Sequence, residues 1–482
     1  MIKREFVVAD EYHYDRSGPL RWIASHLLRY KLIVGSWFFT SIASYTLVAV
    51  VPVLTGAAFT EVLQRHPNAG RLLAITLGIG RALILSALAL WQARREAGVA
   101  RPPIDPDRFV SVLIPAFNEA RVIEVSIHRV LASTDVRLEV IVLDDGSTDA
   151  TSDIVRTAFA NDPRVRLLTL TNGGKARALN HGLTLATGDI VVALDADTQF
   201  EPSTIARLAR WFVDPALGAV AGNAKVGNRV NLVTRWQALE YITAQNLERR
   251  ALARLDAMTV VPGAVGAWRA ATIRAVGGYP PDTLAEDQDL TIAIQRAGWK
   301  VMYDQDAVAW TEAPETFAAL ARQRFRWAFG TLQCLWKHRA VLITGRPTGL
   351  ARIGLPQAIV FQVVFAAVSP VIDLALIASL IATIISVEAH GWAATQHDVV
   401  RMGIYWLAFG AIDILAGIVA FGLEANERWR LLWLMLPQRF GYRQIMYYVV
   451  IRAITSALRG PSVGWGKLER SGRVDERVGA AE

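Results

Sequence analysis

Short uncharged runs rich in Val, Ile and Leu alternate with amphipathic stretches through the middle of the chain, and long uncharged runs stand at both ends. After a linker marked by Pro102, Pro103 and Pro106, the pattern predicts strands at 110–114, 138–143, 165–170 and 190–194. Helices are predicted between and after them, at 119–131, 149–160 and 175–186. Runs apolar at consecutive positions belong to strands buried on both faces. Their alternation with helices predicts an α/β fold with a mostly parallel, doubly wound sheet. Three strands end in polar residues: Asn118-Glu119, Asp144-Asp145-Gly146-Ser147 and Asp195-Ala196-Asp197. The carboxyl ends of such strands gather at one edge, where ligands of open α/β sheets bind.

The outer runs read differently. Residues 32–59 carry no charged side chain, exceed the roughly 20 apolar residues that cross a bilayer, and are too long for a signal-peptide core. Residues 72–91, interrupted only by Arg81, read as a second span, with a buried soluble helix as the alternative. Lys3, Arg4, Arg16, Arg21, Arg29 and Lys31 precede the first span and Arg94, Arg95 and Arg101 follow the second, while the loop between holds only Arg65 and Arg71. This asymmetry predicts a cytoplasmic N-terminus and central domain. Beyond it, residues 354–387 are expected to break at Ser369-Pro370, leaving spans at 371–387 and 402–423, with 431–435 and 445–458 interfacial or partly inserted. Lys467, Arg470, Arg473 and Arg477 favour a cytoplasmic tail. The expected organisation is a cytoplasmic segment (1–31), two spans (32–91), a cytoplasmic domain (105–340), interfacial and transmembrane helices (350–460) and a tail (461–482), in the plasma (inner) membrane. Arg81, Asp373 and Asp413 lie within apolar runs, so Arg81 is expected to pair with one of the Asp residues, or all three to line a polar path.

Composition sharpens this picture in two places. The net charge of +8 could suggest nucleic acid, but much of the Lys and Arg flanks apolar runs, which fits membrane lipids and argues for no nucleic-acid partner. Cys334 stands alone, which excludes an intrachain disulfide framework and a multi-cysteine zinc site.

Asp195 and Asp197, just past a strand end, suit a hard divalent cation carrying a phosphorylated substrate. Asp144 and Asp145 have two readings, since Asp-Gly followed by Ser is also turn and cap chemistry. Asn172-Gly173-Gly174-Lys175 is either a turn or a place where backbone N–H groups and a Lys approach phosphate. It lacks the spacing of a P-loop or a dinucleotide fingerprint, so neither an ATPase nor a dehydrogenase is assigned. Thr283-Leu284-Ala285-Glu286-Asp287 opens a helix. Thr283 and Glu286 can form a capping box, for which Asp287 is not needed. A carboxylate at a helix N-terminus is kept ionised, which suits a general base. Gln323, Arg326 and Trp327 share a helix face at i, i+3 and i+4. There a guanidinium can hold a diphosphate and an indole can stack on a sugar, unless the face is simply a membrane-interface surface.

Taken in order, Asp144-Asp145-Gly146-Ser147, Asp195-Ala196-Asp197, Glu286-Asp287 and Gln323-Arg324-Phe325-Arg326-Trp327, flanked by apolar spans, resemble the processive family-two glycosyltransferases: the cellulose, hyaluronan, chitin-oligosaccharide and poly-N-acetylglucosamine synthases. The resemblance covers residues 107–339 closely. It implies a GT-A type sheet inserted between N- and C-terminal transmembrane helices. It further implies that Asn118, Glu119 and Asp145, with Asp144 beside them, bind the nucleotide, that Asp195 faces the donor diphosphate and that Asp197 ligates Mg2+ or Mn2+. Asp287 would be the base, Lys175 a donor contact, and Gln323, Arg326 and Trp327 would hold pyrophosphate and acceptor sugar. Gly263, Ala264 and Glu286 would lie towards the acceptor. Ala285 departs from the Thr that cellulose synthases carry before the Glu-Asp pair. The implied activity is metal-dependent, inverting transfer of a sugar, with N-acetylglucosamine favoured, from a UDP-sugar to a growing β-linked polysaccharide, together with its export. The alternative is transfer of one sugar to a lipid acceptor, as in ceramide glucosyltransferases. A secretion scaffold has no need of Asp195, Asp197 and Asp287 together. A secretion partner or an oligomer is left open.

Overall fold

The computed structural model describes residues 69–98, 100–424, 426–459 and 472. The expected span at 32–59 and the segment before it lie outside the described residues. Contacts divide the chain into two units, residues 1–81 with 367–412, and residues 82–366 with 413–482. The described part of the first unit is helical throughout except at Gly391. The second unit carries a sheet and every residue singled out above as a candidate for chemistry.

Eight strands form that sheet: β1 (Phe109–Ala116), β2 (Arg137–Asp144), β3 (Val165–Thr169), β4 (Ile190–Ala193), β5 (Gln199–Phe200), β6 (Leu217–Val226), β7 (Gly266–Arg269) and β8 (Lys300–Thr311). Their order is β3-β2-β1-β4-β7-β6-β8-β5. The first four pair in parallel, as the apolar runs predict. The second half corrects the expectation, because β7 runs antiparallel to both β4 and β6, and β5 antiparallel to β8, so the sheet is mixed. The reversal has a use. Ala193 pairs with Gly266, so the chain entering β7 and the chain leaving β4 meet at the same edge. Ala116 pairs with Asp144 and Leu113 with Ala193, which brings Asn118, Asp145 and Asp195 out at that edge too.

Side chains alternate along each strand, giving a core on either face. Leu113, Ile141, Leu143 and Val191 pack with Leu179, Trp268 and Leu290 on one side. Val112, Val140 and Val192 pack with Ile123, Ile127 and Ile205 on the other. Four helices matter for the site: α1 (Lys175–Leu185), α2 (Glu286–Arg296), α3 (Phe317–Lys337) and α4 (Tyr442–Arg459). The helix expected from Glu119 begins only at Ile123, because Asn118 is left-handed (φ 56°) and a turn closes from Val122 N–H to the Glu119 carbonyl first.

Among the described residues one helical stretch, Leu350–Val371, is long and apolar enough to cross a membrane, and Leu380–His390 and Gly410–Gly422 are shorter apolar helices. The break expected at Ser369-Pro370 is absent, since Phe365–His390 is one helix with Pro370 inside it. The apolar stretch therefore starts earlier than residue 371. Asp413 lies 3.0 Å from Arg443 and 3.7 Å from Arg439, so its charge is met by arginines that follow it in the chain.

Candidate active site

The centre of the site is a largely buried lysine, its side chain 14% exposed. Lys175 opens α1, and its Nζ lies 2.7 Å from Asp195 Oδ1 and 2.8 Å from Glu286 Oε1. Burial alone lowers a lysine pKa, but the carboxylates of Asp195, Glu286 and Asp287 outweigh it and hold Lys175 well above its ordinary value. Burial raises the Glu286 carboxyl, with Lys175 pulling it back. Glu286 therefore has a different partner from the ones expected. Thr283 donates to Asp289 instead of capping, Ala285 is the N-cap residue, and Glu286 pairs with Lys175.

Gly263 closes the site. Its N–H donates to Asp287 Oδ2 at 3.0 Å, and a Cβ there would stand 2.8 Å from Lys175 Nζ and 3.9 Å from Asp195 Oδ1. A bare backbone lets the loop come this close to the Lys175 ammonium, while the distance to Asp195 is ordinary contact. The loop is tied to α2 through Thr291, whose hydroxyl accepts from Val261 N–H and donates to the Asp287 carbonyl. Asp287 Oδ1 accepts the Gln288 N–H. Three acidic residues in the first turn of α2, Glu286, Asp287 and Asp289, face the positive end of the helix dipole.

Asp145 holds Lys175 in place from behind. Its two carboxylate oxygens each accept a hydrogen bond of 2.8 Å, one from Gly173 N–H and one from Gly174 N–H. Those N–H groups are engaged by Asp145, as in the turn reading of the run, and the run leads directly into Lys175. Asp144 accepts from Ser147 N–H and from the Ser152 hydroxyl, which is its turn-and-cap reading. The Asn118 side-chain oxygen Oδ1 accepts from Thr148 N–H and Asp149 N–H, and Glu119 N–H donates to the Thr151 hydroxyl. Asn118, Asp144 and Asp145 thus brace the loops at the ends of β1 and β2. Asp197 is buried two residues beyond Asp195.

Helix α3 carries Gln323, Arg326 and Trp327 in one continuous helix, as expected. It meets α2 where neither has a bulky side chain, since a Cβ on Gly330 would lie 2.7 Å from Ala285 Cβ. Ala285, the departure noted above, is therefore the small half of a helix crossing. Leu284 N–H donates to Gln333 and the Thr331 hydroxyl to Gln288, fixing the register. Gly330→Ala should overpack this crossing at a cost of about 1–3 kcal/mol, read as a lowered melting temperature. Gln323 is buried with its Oε1 unbonded, while Arg326 is half-buried and Trp327 is 38% exposed. Arg324, which sequence reasoning passed over, is the structural member of the run. It donates to Glu240 at 2.7 Å and to the Tyr442 hydroxyl at 3.3 Å, and lies over the Trp327 ring at 4.1 Å. Burial pushes the Tyr241 hydroxyl up, with Arg324 opposing and Glu240 and Asp197 adding to the rise. One side chain thus feels both Asp197 and α3.

Two residues beyond Asp287, Asp289 accepts from Thr283, Lys337 and the His338 ring. Burial raises its pKa, but the bonds to His338 and Lys337 win and hold it below the ordinary value. Since the folded value lies below the unfolded one, this stabilisation is complete above about pH 4 and is lost as pH falls through the lowered value. Asp289→Asn should flatten that acid limb in melting temperature measured against pH.

Residues 106–330 match the family described as Glycosyltransferase like family 2. Among curated relatives, a poly-beta-1,6-N-acetyl-D-glucosamine synthase from Staphylococcus aureus is 30% identical over 233 residues, 48% of this chain and 57% of that protein. An N-acetylglucosaminyltransferase from Rhizobium leguminosarum bv. viciae is 31% identical over 277 residues, 54% of this chain and 65% of that one. The chain thus spans less than two thirds of the length of either. Among solved structures, the mannosyltransferase PcManGT from Pyrobaculum calidifontis, in complex with GDP-Man and Mn2+, superposes with a TM-score of 0.55 at 25% identity, over 80% of this chain and 98% of that one. The mixed sheet is GT-A-like.

Proposed function

We propose that residues 106–330, which match the family described as Glycosyltransferase like family 2, move a sugar, N-acetylglucosamine in our reading, from a UDP-sugar to the growing end of a β-linked polysaccharide. The observation that carries this is the meeting of Lys175, Asp195, Glu286 and Asp287 around the bare backbone of Gly263. A base and a cation share one site there. Asp287 takes the proton of an acceptor hydroxyl, which attacks the anomeric carbon as the nucleotide diphosphate leaves. One displacement inverts an α-linked donor to a β-linkage. Lys175 and Arg326 neutralise charge growing on the leaving group, and Trp327 stacks on the acceptor sugar beside Gln323.

The donor set fits a divalent cation that the substrate helps to bind. Among the described residues no three His, Cys, Asp or Glu side chains cluster to hold a metal. Asp197, with Asp195, would therefore leave most of the shell to diphosphate and water, as Mg2+ or Mn2+ accepts. Bound there, the cation would supply charge neutralisation of the diphosphate. The Mn2+ and GDP-Man of the mannosyltransferase support this reading. The reading also puts the domain on the cytoplasmic side of a multi-pass protein in the inner membrane, with export of the product.

Purified protein in nanodiscs, given UDP-glucose, UDP-N-acetylglucosamine or UDP-glucuronate, should release UDP with one of them, and chelation with EDTA should suppress it. Release from none of the three would overturn the proposal.

A further inference from the structure

We propose that residues 428–459 lie on an anionic lipid surface and that this contact sets the position of α3. The proposal takes its membrane setting from the reading above. The segment holds six arginines and no Asp or Glu; Arg439 and Arg443 meet Asp413 and Arg452 lies over the Phe325 ring, while Arg428, Arg430 and Arg459 are exposed. Trp429, Trp433, Leu436, Phe440, Tyr448 and Leu458 are each more than half exposed. Large apolar side chains exposed together mark an interaction surface, and Trp, Phe and Leu interleaved with Arg fit the headgroup boundary of a bilayer. Charge selects the occupant. A second copy of the segment would set arginines against arginines, whereas anionic headgroups complement them.

The inner side of the segment is bolted to the candidate acceptor helix. Trp236 Nε1 donates to the Leu434 carbonyl at 3.2 Å, and its ring lies 6.1 Å from that of Tyr442. The Tyr442 hydroxyl meets Arg324 and Glu240. Further along α4, Arg452 lies over the Phe325 ring at 4.9 Å. Arg324 and Phe325 stand between Gln323 and Arg326 in α3. A force on the outer, Trp-bearing side is therefore transmitted to the turn that carries the acceptor-side residues.

The test uses the full chain in nanodiscs of phosphatidylcholine alone or with phosphatidylglycerol. Three quantities are read: quenching of Trp fluorescence by brominated lipid, hydrogen exchange of residues 317–337, and UDP release. Anionic lipid should increase protection of α3 and raise UDP release. The double variant Arg428→Gln/Arg430→Gln should lose that gain and keep the rate seen in phosphatidylcholine. Trp429→Phe/Trp433→Phe should remove most of the brominated-lipid quenching attributable to this segment. Equal α3 protection in both bilayers, or unchanged quenching in the Trp variant, overturns the proposal. So does a dimer, seen by mass photometry, that dissociates in Trp433→Ser. If no UDP is released in either bilayer, the glycosyl-transfer reading fails, while quenching and exchange still decide the lipid contact.

Discussion

Asp287→Asn should lower turnover by about 10²–10⁴-fold, the usual worth of a positioned base, and leave nucleotide-sugar binding intact. The side chain keeps its shape, and an amide oxygen can still accept the Gly263 N–H that Asp287 Oδ2 accepts now. What an amide cannot do is take a proton. The loop-to-α2 ties through Thr291 run to the Asp287 backbone and to Val261, so they survive the change. Calorimetric titration with the UDP-sugar and steady-state UDP release separate the two effects. Near-normal turnover would remove Asp287 from the role of base.

Lys175→Met should cost both stability and donor recognition. Removing one partner of a buried pair leaves the other charged and uncompensated, typically a loss of about 3–5 kcal/mol. The Glu286 side is buried, whereas Asp195 is partly open to water, so the lower end of that range is expected. The double variant Lys175→Met/Glu286→Gln should recover part of the melting temperature, because the stranded buried carboxylate is gone, yet keep the raised KM for the donor. A single variant with wild-type stability and KM would show that the Lys175 contacts with Asp195 and Glu286 carry neither property.

How much of this was legible in the sequence depends on the reach of each contact. β1, β2 and β4 were readable because their largely apolar runs state their burial locally, whereas β3, at the sheet edge, is only half-buried. Asp195 and Asp197 were readable because they follow one of those strands. The second half of the sheet was not, since β7 is four residues long and its antiparallel course is set by pairing with β4 and β6. Thr283 and Glu286 obey the capping-box spacing, but Lys175 and Asp289 compete for them, and no periodicity reports a partner brought in by folding. Asp145 looked like turn chemistry or a nucleotide ligand. Its observed bonds are to Gly173 and Gly174 on the next loop. Arg324 sat inside the recognised run, but its partners Glu240 and Tyr442 lie 84 and 118 residues away. Ala285 read as a departure from a pattern until Gly330 was seen against it.

The most direct test of the central claim is the product itself. Reconstituted protein is incubated with UDP-N-acetylglucosamine and Mg2+ or Mn2+, and the saccharide is sized by mass spectrometry and its anomeric configuration read by NMR. The account predicts a chain of β-linked sugars that grows with time and is absent with Asp287→Asn. An α-linkage, a single sugar on a lipid, or UDP release with no saccharide product would contradict it.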